Sequence, residues 1–242
     1  REETIDLHDL SYDEPKIITI NGEDYLQSQL PIGKFGGELV TSTIGEGPKT
    51  FNIWTAKDNT STEIGSLLFD SLLSTDVNTG EVIPNMAKSI EISPDQKSYT
   101  ITLRKGLKWS DGKEITADDV IFTWKDIVFA GFGNTSVRDS VTIDGQLPEV
   151  EKIDKYTVKF TTPKPFAPFL RFLSENIAPE HILKPVVTKG KRAFDAFWGT
   201  NANPADFVTS GPFKLQEYVP AQRVVLKRND NYHFVNREGK KL

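Results

Sequence analysis

The sequence predicts a mixed α/β fold, and three adjacent patterns between residues 85 and 129 support this prediction. The first is a turn at 93–96, where Pro94 presets the backbone for the second turn position. The second is a strand in which apolar side chains alternate with polar ones. The third is a helix with one apolar stripe. Turn, strand and helix in this order indicate a hairpin packed against a helix.

The strand and the helix of this stretch are marked by particular residues. Tyr99, Ile101 and Leu103 occupy alternate positions, so we expect them on the buried face of the strand. Thr116 and Asp119 form a capping-box-like start to the helix. The predicted buried stripe of that helix consists of Val120, Ile121, Trp124, Ile127 and Val128.

Shorter sequence patterns predict an N-terminal arm, three further strands and a crossing between lobes. Residues 1–33 are rich in acidic groups and weakly periodic, which indicates an extended or loosely packed arm. Residues 39–44 are a strand candidate. The prolines between 163 and 168 interrupt regular structure and mark a crossing between lobes. Strands near 213–215 and 224–226 are expected to pair across a turn.

Composition excludes several classes of protein. The chain has 242 residues, of which 37% are apolar, and a net charge of −5, so a basic footprint for nucleic acid is absent. There is no cysteine, which excludes disulfides, thiol catalysis and thiolate metal sites. No apolar run approaches the ~20 residues of a membrane span. We therefore expect a soluble chain with no nucleic-acid partner.

The ordered string from Asn85 to Trp124 resembles the core signature of the bacterial extracellular solute-binding proteins of family 5, the peptide/nickel class. Similar elements recur at 36–40, 48–52, 70–84, 178–183, 209–215 and 228–233. The last element departs from the family pattern at Asp230 and His233, where Pro and Trp are commoner. Together the matching segments run from about Gly36 to Leu242.

The resemblance implies a periplasmic-binding-protein-like fold of the class II type, with discontinuous lobes and mixed sheets. We expect an acidic N-terminal arm at 1–33, a discontinuous and incomplete first lobe at 34–57 and 166–242, and a smaller inserted lobe at 58–165. Family members are longer than this chain, so we expect an N-terminal fragment that lacks the distal lobe. We also expect segments 34–57 and 166–242 to pair in one sheet.

The function implied by the resemblance is solute capture for an ABC importer, without catalysis. The ligand would be an oligopeptide, a dipeptide or a related small solute, delivered to the permease subunits by a monomeric receptor. The receptor would be periplasmic or lipid-anchored at the cell surface, with a signal peptide upstream of Arg1. The family spans peptides, nickel complexes, haem and sugars, so the solute stays open. An extracellular adhesion module and a hydrolase are alternative interpretations.

Four residues are candidates for ligand binding. Glu46 and Gly47 lie in a loop whose counterpart in the family faces the cleft, and Glu46 could pair with a peptide's amino terminus. Trp54 is a cleft or hinge candidate, although an aromatic residue is more often part of a core. Asn176 lies at the expected boundary between lobes.

No catalytic, metal or cofactor site is predicted. His8, His181 and His233 are far apart in sequence and lack the spacing of metal ligands. Asp118 and Asp119 are adjacent on a helix and point in different directions, so they are expected to be first-turn acids rather than a catalytic pair. Neither a P-loop nor a nucleophile elbow is present.

Overall fold

The computed structural model describes residues 15–43, 45–76 and 79–242, which form a mixed α/β structure. The strands are Lys16–Ile20 (β1), Glu23–Gln27 (β2), Leu73–Thr75 (β3), Val82–Pro84 (β4), Ala87–Ile92 (β5), Ser98–Leu103 (β6), Glu149–Lys152 (β7), Thr157–Thr161 (β8), Phe213–Val219 (β9), Arg223–Arg228 (β10) and Phe234–Val235 (β11). The α-helices are Asn59–Leu68 (α1), Ala117–Ile121 (α2), Ser136–Val141 (α3), Phe169–Phe172 (α4), Glu180–Val187 (α5) and Lys191–Ala196 (α6). None of the helices in this part of the chain is long and apolar enough to cross a bilayer.

The largest sheet contains four antiparallel strands in the order β5-β6-β8-β7. Strands β5 and β6 form the predicted hairpin, and Gln96 N donates to Ser93 O at 2.8 Å across its turn. Tyr99, Ile101 and Leu103 are at most 2% exposed, so the predicted buried face of β6 is confirmed.

The predicted capping box is also confirmed. Thr116 is the N-cap of α2, and its backbone N–H donates to the Asp119 carboxylate at 3.0 Å. A π-helix, Phe122–Phe129, continues α2 without a break. Trp124 packs in one hydrophobic cluster with the sheet, whereas Ile127 packs in a second cluster. The continuous helical stretch therefore forms a wall shared by two cores.

The N-terminal residues differ from the expected loose arm. Strands β1 and β2 form an antiparallel hairpin, and β11 from the other end of the chain pairs in parallel with β2. The acidic groups have specific partners: Glu23 pairs with Lys108 at 2.6 Å and Asp24 with Lys88 at 3.2 Å. Charge composition indicated an extended or loosely packed arm, but residues 16–27 form a paired hairpin in which Leu26 is only 3% exposed. The expectation for residues 1–14 lies outside the described residues.

The strand expected at 39–44 is wrong for residues 39–43, and Ile44 lies outside the described residues. Leu39 is 88% exposed and Val40 is 81% exposed, because no strand of the described chain covers them. The described parts of segments 34–57 and 166–242 meet at an isolated bridge between Thr50 and Gly199, not in the expected shared sheet. The division of the chain into lobes stays a prediction.

The β9–β10 hairpin matches the prediction for this region. Leu215 and Leu226 are directly opposed, and the ladder shifts register between Val225 and Leu226. Leu215 is 3% exposed and belongs to the same hydrophobic cluster as Trp54. The hairpin therefore contributes to the hydrophobic cluster that also contains Trp54.

Candidate functional site

A cleft of about 200 Å³ lies where the turn around Trp54 meets the loop after the π-helix and the residues after α4. Trp54 and Asn176, two of the four predicted binding residues, both line it. Aliphatic side chains, including those of Ile53, Ile127 and Val137, form much of the remaining wall. The cleft therefore combines an apolar lining with a few polar groups, as small-molecule sites do.

Trp54 is fixed both by packing and by a hydrogen bond. It lies in a 3-10 turn, Ile53–Thr55, and is only 4% exposed. Its ring is tilted against that of Phe69 with 4.9 Å between centroids. Its indole N–H donates to the backbone carbonyl of Asn176 at 3.0 Å. Trp54 is thus a core residue whose position also defines one side of the cleft.

The loop after the π-helix forms another wall of the cleft and is hydrogen-bonded to the same turn. The N–H of Asn134 donates to the Trp54 carbonyl at 2.7 Å, and its side chain donates to the Ala56 carbonyl at 3.3 Å. Gly133 has φ +64°, and a Cβ there would overlap the Trp54 carbonyl oxygen. Glycine therefore allows the loop to approach this backbone closely.

Glu175 is the charged group of the cleft. Among the described residues that line the cleft, it is the only one that is charged. It is half-buried, and in the described chain it has no ion pair. Burial raises the pKa of Glu175 to about 7, against a smaller effect of the Asn176 backbone N–H, which lowers it. The carboxyl group is therefore held in the cleft without a compensating cation.

Glu175 and Asn134 were not predicted as site residues. The cleft joins segments that are far apart in sequence, such as Trp54 and Asn176, which no local pattern connects. Glu175 follows α4 after Leu173 and Ser174 and is followed by the polar Asn176, so its place in the sequence resembles an ordinary polar loop and gave no signal.

The other two predicted residues, Glu46 and Gly47, do not line this cleft. Glu46 is exposed. Gly47 has φ +88°, and a Cβ there would lie 3.8 Å from the Tyr218 hydroxyl of β9. The structure therefore does not bring this pair together with Trp54 and Asn176, and its role in binding stays a prediction.

A second groove, of about 450 Å³, lies over the β9–β10 hairpin. It is lined by Lys214 and Lys227, which are directly opposed across the two strands, and by Ser110 and Asp111. None of the four predicted binding residues contributes to it. The smaller cleft is therefore the better candidate site.

A buried polar network lies apart from both depressions. His233 Nε2 is 2.9 Å from Asp70 Oδ2, and Arg104 contacts His233 Nδ1. Since arginine can only donate, Nδ1 must accept and the proton must reside on Nε2, which makes His233 neutral. Burial and the Arg104 charge lower the pKa of His233 to about 4. Arg104 is fully buried, so this network is structural.

The remaining histidine in the described chain also has a structural contact. His181 Nε2 lies 2.8 Å from Asp111 Oδ2, near the start of α5. No three His, Asp or Glu side chains among residues 15–43, 45–76 and 79–242 are grouped so that they could hold a metal ion.

Comparison with known families relates this chain to binding proteins. Residues 81–242 match the model for "Bacterial extracellular solute-binding proteins, family 5 Middle". A probable ABC transporter-binding protein from Deinococcus radiodurans is 37% identical over 182 residues, which cover 71% of this chain and 30% of that protein. The chain spans about a third of the length of the curated relatives it matches.

Solved structures share the fold. The periplasmic binding protein MelB from Agrobacterium fabrum, in complex with stachyose, aligns with a TM-score of 0.69 and 29% identity over 82% of this chain and 32% of that one. AppA from Bacillus subtilis, in complex with a nonapeptide, aligns with a TM-score of 0.64 and 30% identity over 78% of this chain and 36% of that one. The predicted periplasmic-binding-protein fold is therefore confirmed.

Proposed function

This chain belongs to family 5 of the bacterial extracellular solute-binding proteins, and from that membership we propose that it contributes part of the solute site of an ABC importer. Proteins of this family bind their solutes and are not enzymes. We propose capture of an oligopeptide, a dipeptide or a related small solute outside the cytoplasmic membrane. The captured solute is then passed to permease subunits by a periplasmic or cell-surface receptor.

The observation that carries this proposal is the cleft shared by Trp54 and Asn176. Two residues chosen separately from the sequence line one depression and are joined by a hydrogen bond. Its volume, about 200 Å³, is below the ~300–1,000 Å³ of a complete small-molecule site. The cleft is therefore proposed to hold one part of the solute, while the rest extends beyond it.

A peptide is the favoured solute because of the chemistry of the lining. The aliphatic and aromatic walls suit a side chain, and the second side-chain N–H of Asn134, which does not bond to Ala56, can donate to a peptide carbonyl. AppA from Bacillus subtilis, which was solved with a nonapeptide, provides a precedent within the same fold. Contacts to the backbone of a peptide give affinity with little dependence on its sequence.

An oligosaccharide is the second candidate. The structure of MelB with stachyose aligns with a TM-score of 0.69, and a periplasmic alpha-galactoside-binding protein from Rhizobium meliloti is 30% identical over 85% of this chain. The second side-chain N–H of Asn134 can donate to a sugar hydroxyl, and the Thr62 hydroxyl, which donates to the Asp58 carbonyl, can accept from one.

Nuclear magnetic resonance (NMR) titration of the ¹⁵N-labelled chain with tetra-alanine and with stachyose tests the proposal. We expect tetra-alanine to shift the Trp54 indole N–H resonance and the Asn176 amide. The indole of Trp124, which is fully buried in the other cluster, is the internal control and should not move. Shifts caused only by stachyose would select the sugar; the absence of shifts at Trp54 with both compounds would reject the cleft as a solute site.

A further inference from the structure

We propose that Glu175 makes the cleft a subsite for one positively charged group of the solute, either an ammonium or a guanidinium. This inference deepens the proposed function, because it names the chemical class of solute that the cleft selects. Its test uses a small probe, so that it can succeed or fail independently of transport.

The first argument is the missing counter-charge. Some acidic side chains of the described chain have close cations: Glu114 pairs with Lys155 at 2.6 Å and Asp118 with Lys152 at 2.8 Å. Glu175 has no such partner in the described structure, although it is half-buried. Loss of hydration without a cationic partner disfavours a carboxylate, and the Asn176 backbone N–H offsets this only in part, which agrees with the raised pKa of Glu175. A cation from outside would supply the missing interaction.

The second argument is the lining around the carboxylate. Trp54 and Phe132 both contribute to the lining of the cleft, and aromatic rings attract cations. Ile53 and Val137 add an apolar surface that suits the methylene stem of an amphipathic cation. Charge, aromatic rings and aliphatic wall together match an alkylammonium group better than a neutral polar group.

Two basic residues beside the cleft lining, Lys191 and Arg138, are engaged elsewhere. Lys191 of α6 lies over the Phe132 ring, 5.8 Å from its centroid. Arg138 of α3 donates to the Phe129 carbonyl at 3.0 Å and lies 3.7 Å from Asp139. Neither side chain lines the cleft or forms an ion pair with Glu175. The negative charge in the cleft is therefore available to a ligand.

The test is an NMR titration of the full chain with n-butylammonium chloride and with n-butanol, at pH 8 and at pH 5.5. At pH 8 Glu175 is ionised, so butylammonium should shift the Trp54 indole and bind at least about tenfold more tightly than butanol, which lacks the charge. At pH 5.5 the protonated carboxyl should weaken butylammonium binding by a similar factor, with little effect on butanol.

Glu175→Gln should remove the preference for butylammonium and its pH dependence. Glu149→Gln, which removes an exposed carboxylate of β7, is the matched control and should bind as the wild type does. A ¹³C titration of the wild-type Glu175 carboxyl adds a measurement that needs no variant: saturating butylammonium should lower its pKa.

Equal binding of butanol and butylammonium, unchanged binding by Glu175→Gln, or an unchanged Glu175 pKa would each overturn the inference. If Glu175→Gln does not fold, the comparison of the two probes and the ¹³C titration decide. If tetra-alanine or stachyose shifts the Trp54 resonance but butylammonium binds no better than butanol, the cationic subsite is rejected and the proposed function stands. If butylammonium is preferred but neither tetra-alanine nor stachyose shifts the Trp54 resonance, the solute site is rejected and the cation site stands.

Discussion

The indole N–H of Trp54 donates a 3.0 Å hydrogen bond to the backbone carbonyl of Asn176, which lies 122 positions later in the chain. This bond joins the turn before α1 to the residues after α4. Both residues line the candidate cleft, so the bond fixes two of its walls relative to each other. The backbone N–H of Asn134 donates to the Trp54 carbonyl, so the loop after the π-helix, a third wall of the cleft, is also bonded to this turn.

Trp54→Phe should destabilise the chain more than Trp198→Phe does. Both substitutions replace a buried indole with a smaller ring. The Trp54 indole N–H is hydrogen-bonded, whereas the Trp198 indole N–H is buried without a partner. We expect the difference in the free energy of unfolding to be about 1 kcal/mol. Urea unfolding of both variants measures it, and equal losses would show that the bond to Asn176 contributes nothing.

Gly133→Ala should distort the cleft. The added Cβ would overlap the Trp54 carbonyl oxygen and lie 2.9 Å from its carbon, and the residue has φ +64°. Backbone atoms cannot move aside cheaply, so the loss of stability should be about 1 to 3 kcal/mol. Gly145→Ala is the control, because Gly145 also has positive φ, +77°, but no neighbour within 4 Å of the added atom.

The measurement is thermal unfolding together with the NMR spectrum of the Trp54 indole. Gly133→Ala should shift this resonance and lower the melting temperature more than Gly145→Ala. If both variants lose the same stability, backbone strain alone accounts for the effect and the close approach to Trp54 has no energetic role.

Local patterns in the sequence were sufficient for the elements whose partners are near in the chain. The turn at 93–96 and the capping box of Thr116 and Asp119 depend on contacts within a few residues. The alternation of β6 is visible in the local sequence, although its partner strand β8 is distant. The β1–β2 hairpin was missed because the groups that it contacts, β11, Lys88 and Lys108, come from distant parts of the chain.

The candidate site was predicted only in part, because its residues come together through contacts between distant parts of the chain. Trp54 and Asn176 were identified, but their contact depends on the tertiary fold. Glu175 was missed, since only folding shows that it lies in a cleft without a cation. His233 was noted as a departure from the family pattern, yet its contacts with Asp70 and Arg104 could not be inferred from sequence.

Trp124→Ala should destabilise the chain by about 3 to 5 kcal/mol, as large aromatic deletions in a core do. Trp124 is fully buried and contacts the rings of Phe129, Phe160 and Phe169. Trp124→Phe should cost much less, because it keeps an aromatic ring and removes an indole N–H that has no partner. Urea unfolding checks both variants, and wild-type-like stability of Trp124→Ala would contradict the role of this residue in the core.

The stability of the wild-type chain should contain an acid-sensitive contribution from His233. Its pKa is about 4 in the folded chain, against an ordinary value of 6.5, because burial and Arg104 disfavour the charged form. Between these values the unfolded chain binds more protons than the folded chain, so this contribution is lost as the pH falls from about 6.5 to 4. The loss should approach about 3 kcal/mol.

His233→Gln isolates this contribution, since the glutamine amide can accept from Arg104 and donate to Asp70 but does not titrate. We expect its free energy of unfolding to change less than that of the wild type between pH 7 and pH 4. The raised pKa values of Glu175 and Asp119 increase the free energy of unfolding as the pH falls over part of this range. Both residues are present in the wild type and in His233→Gln, so their effect cancels when the two pH dependences are subtracted. Trp124→Phe, which alters no titratable group, is the control and should give a curve parallel to the wild type. A parallel curve for His233→Gln would mean that His233 is not held neutral between Asp70 and Arg104.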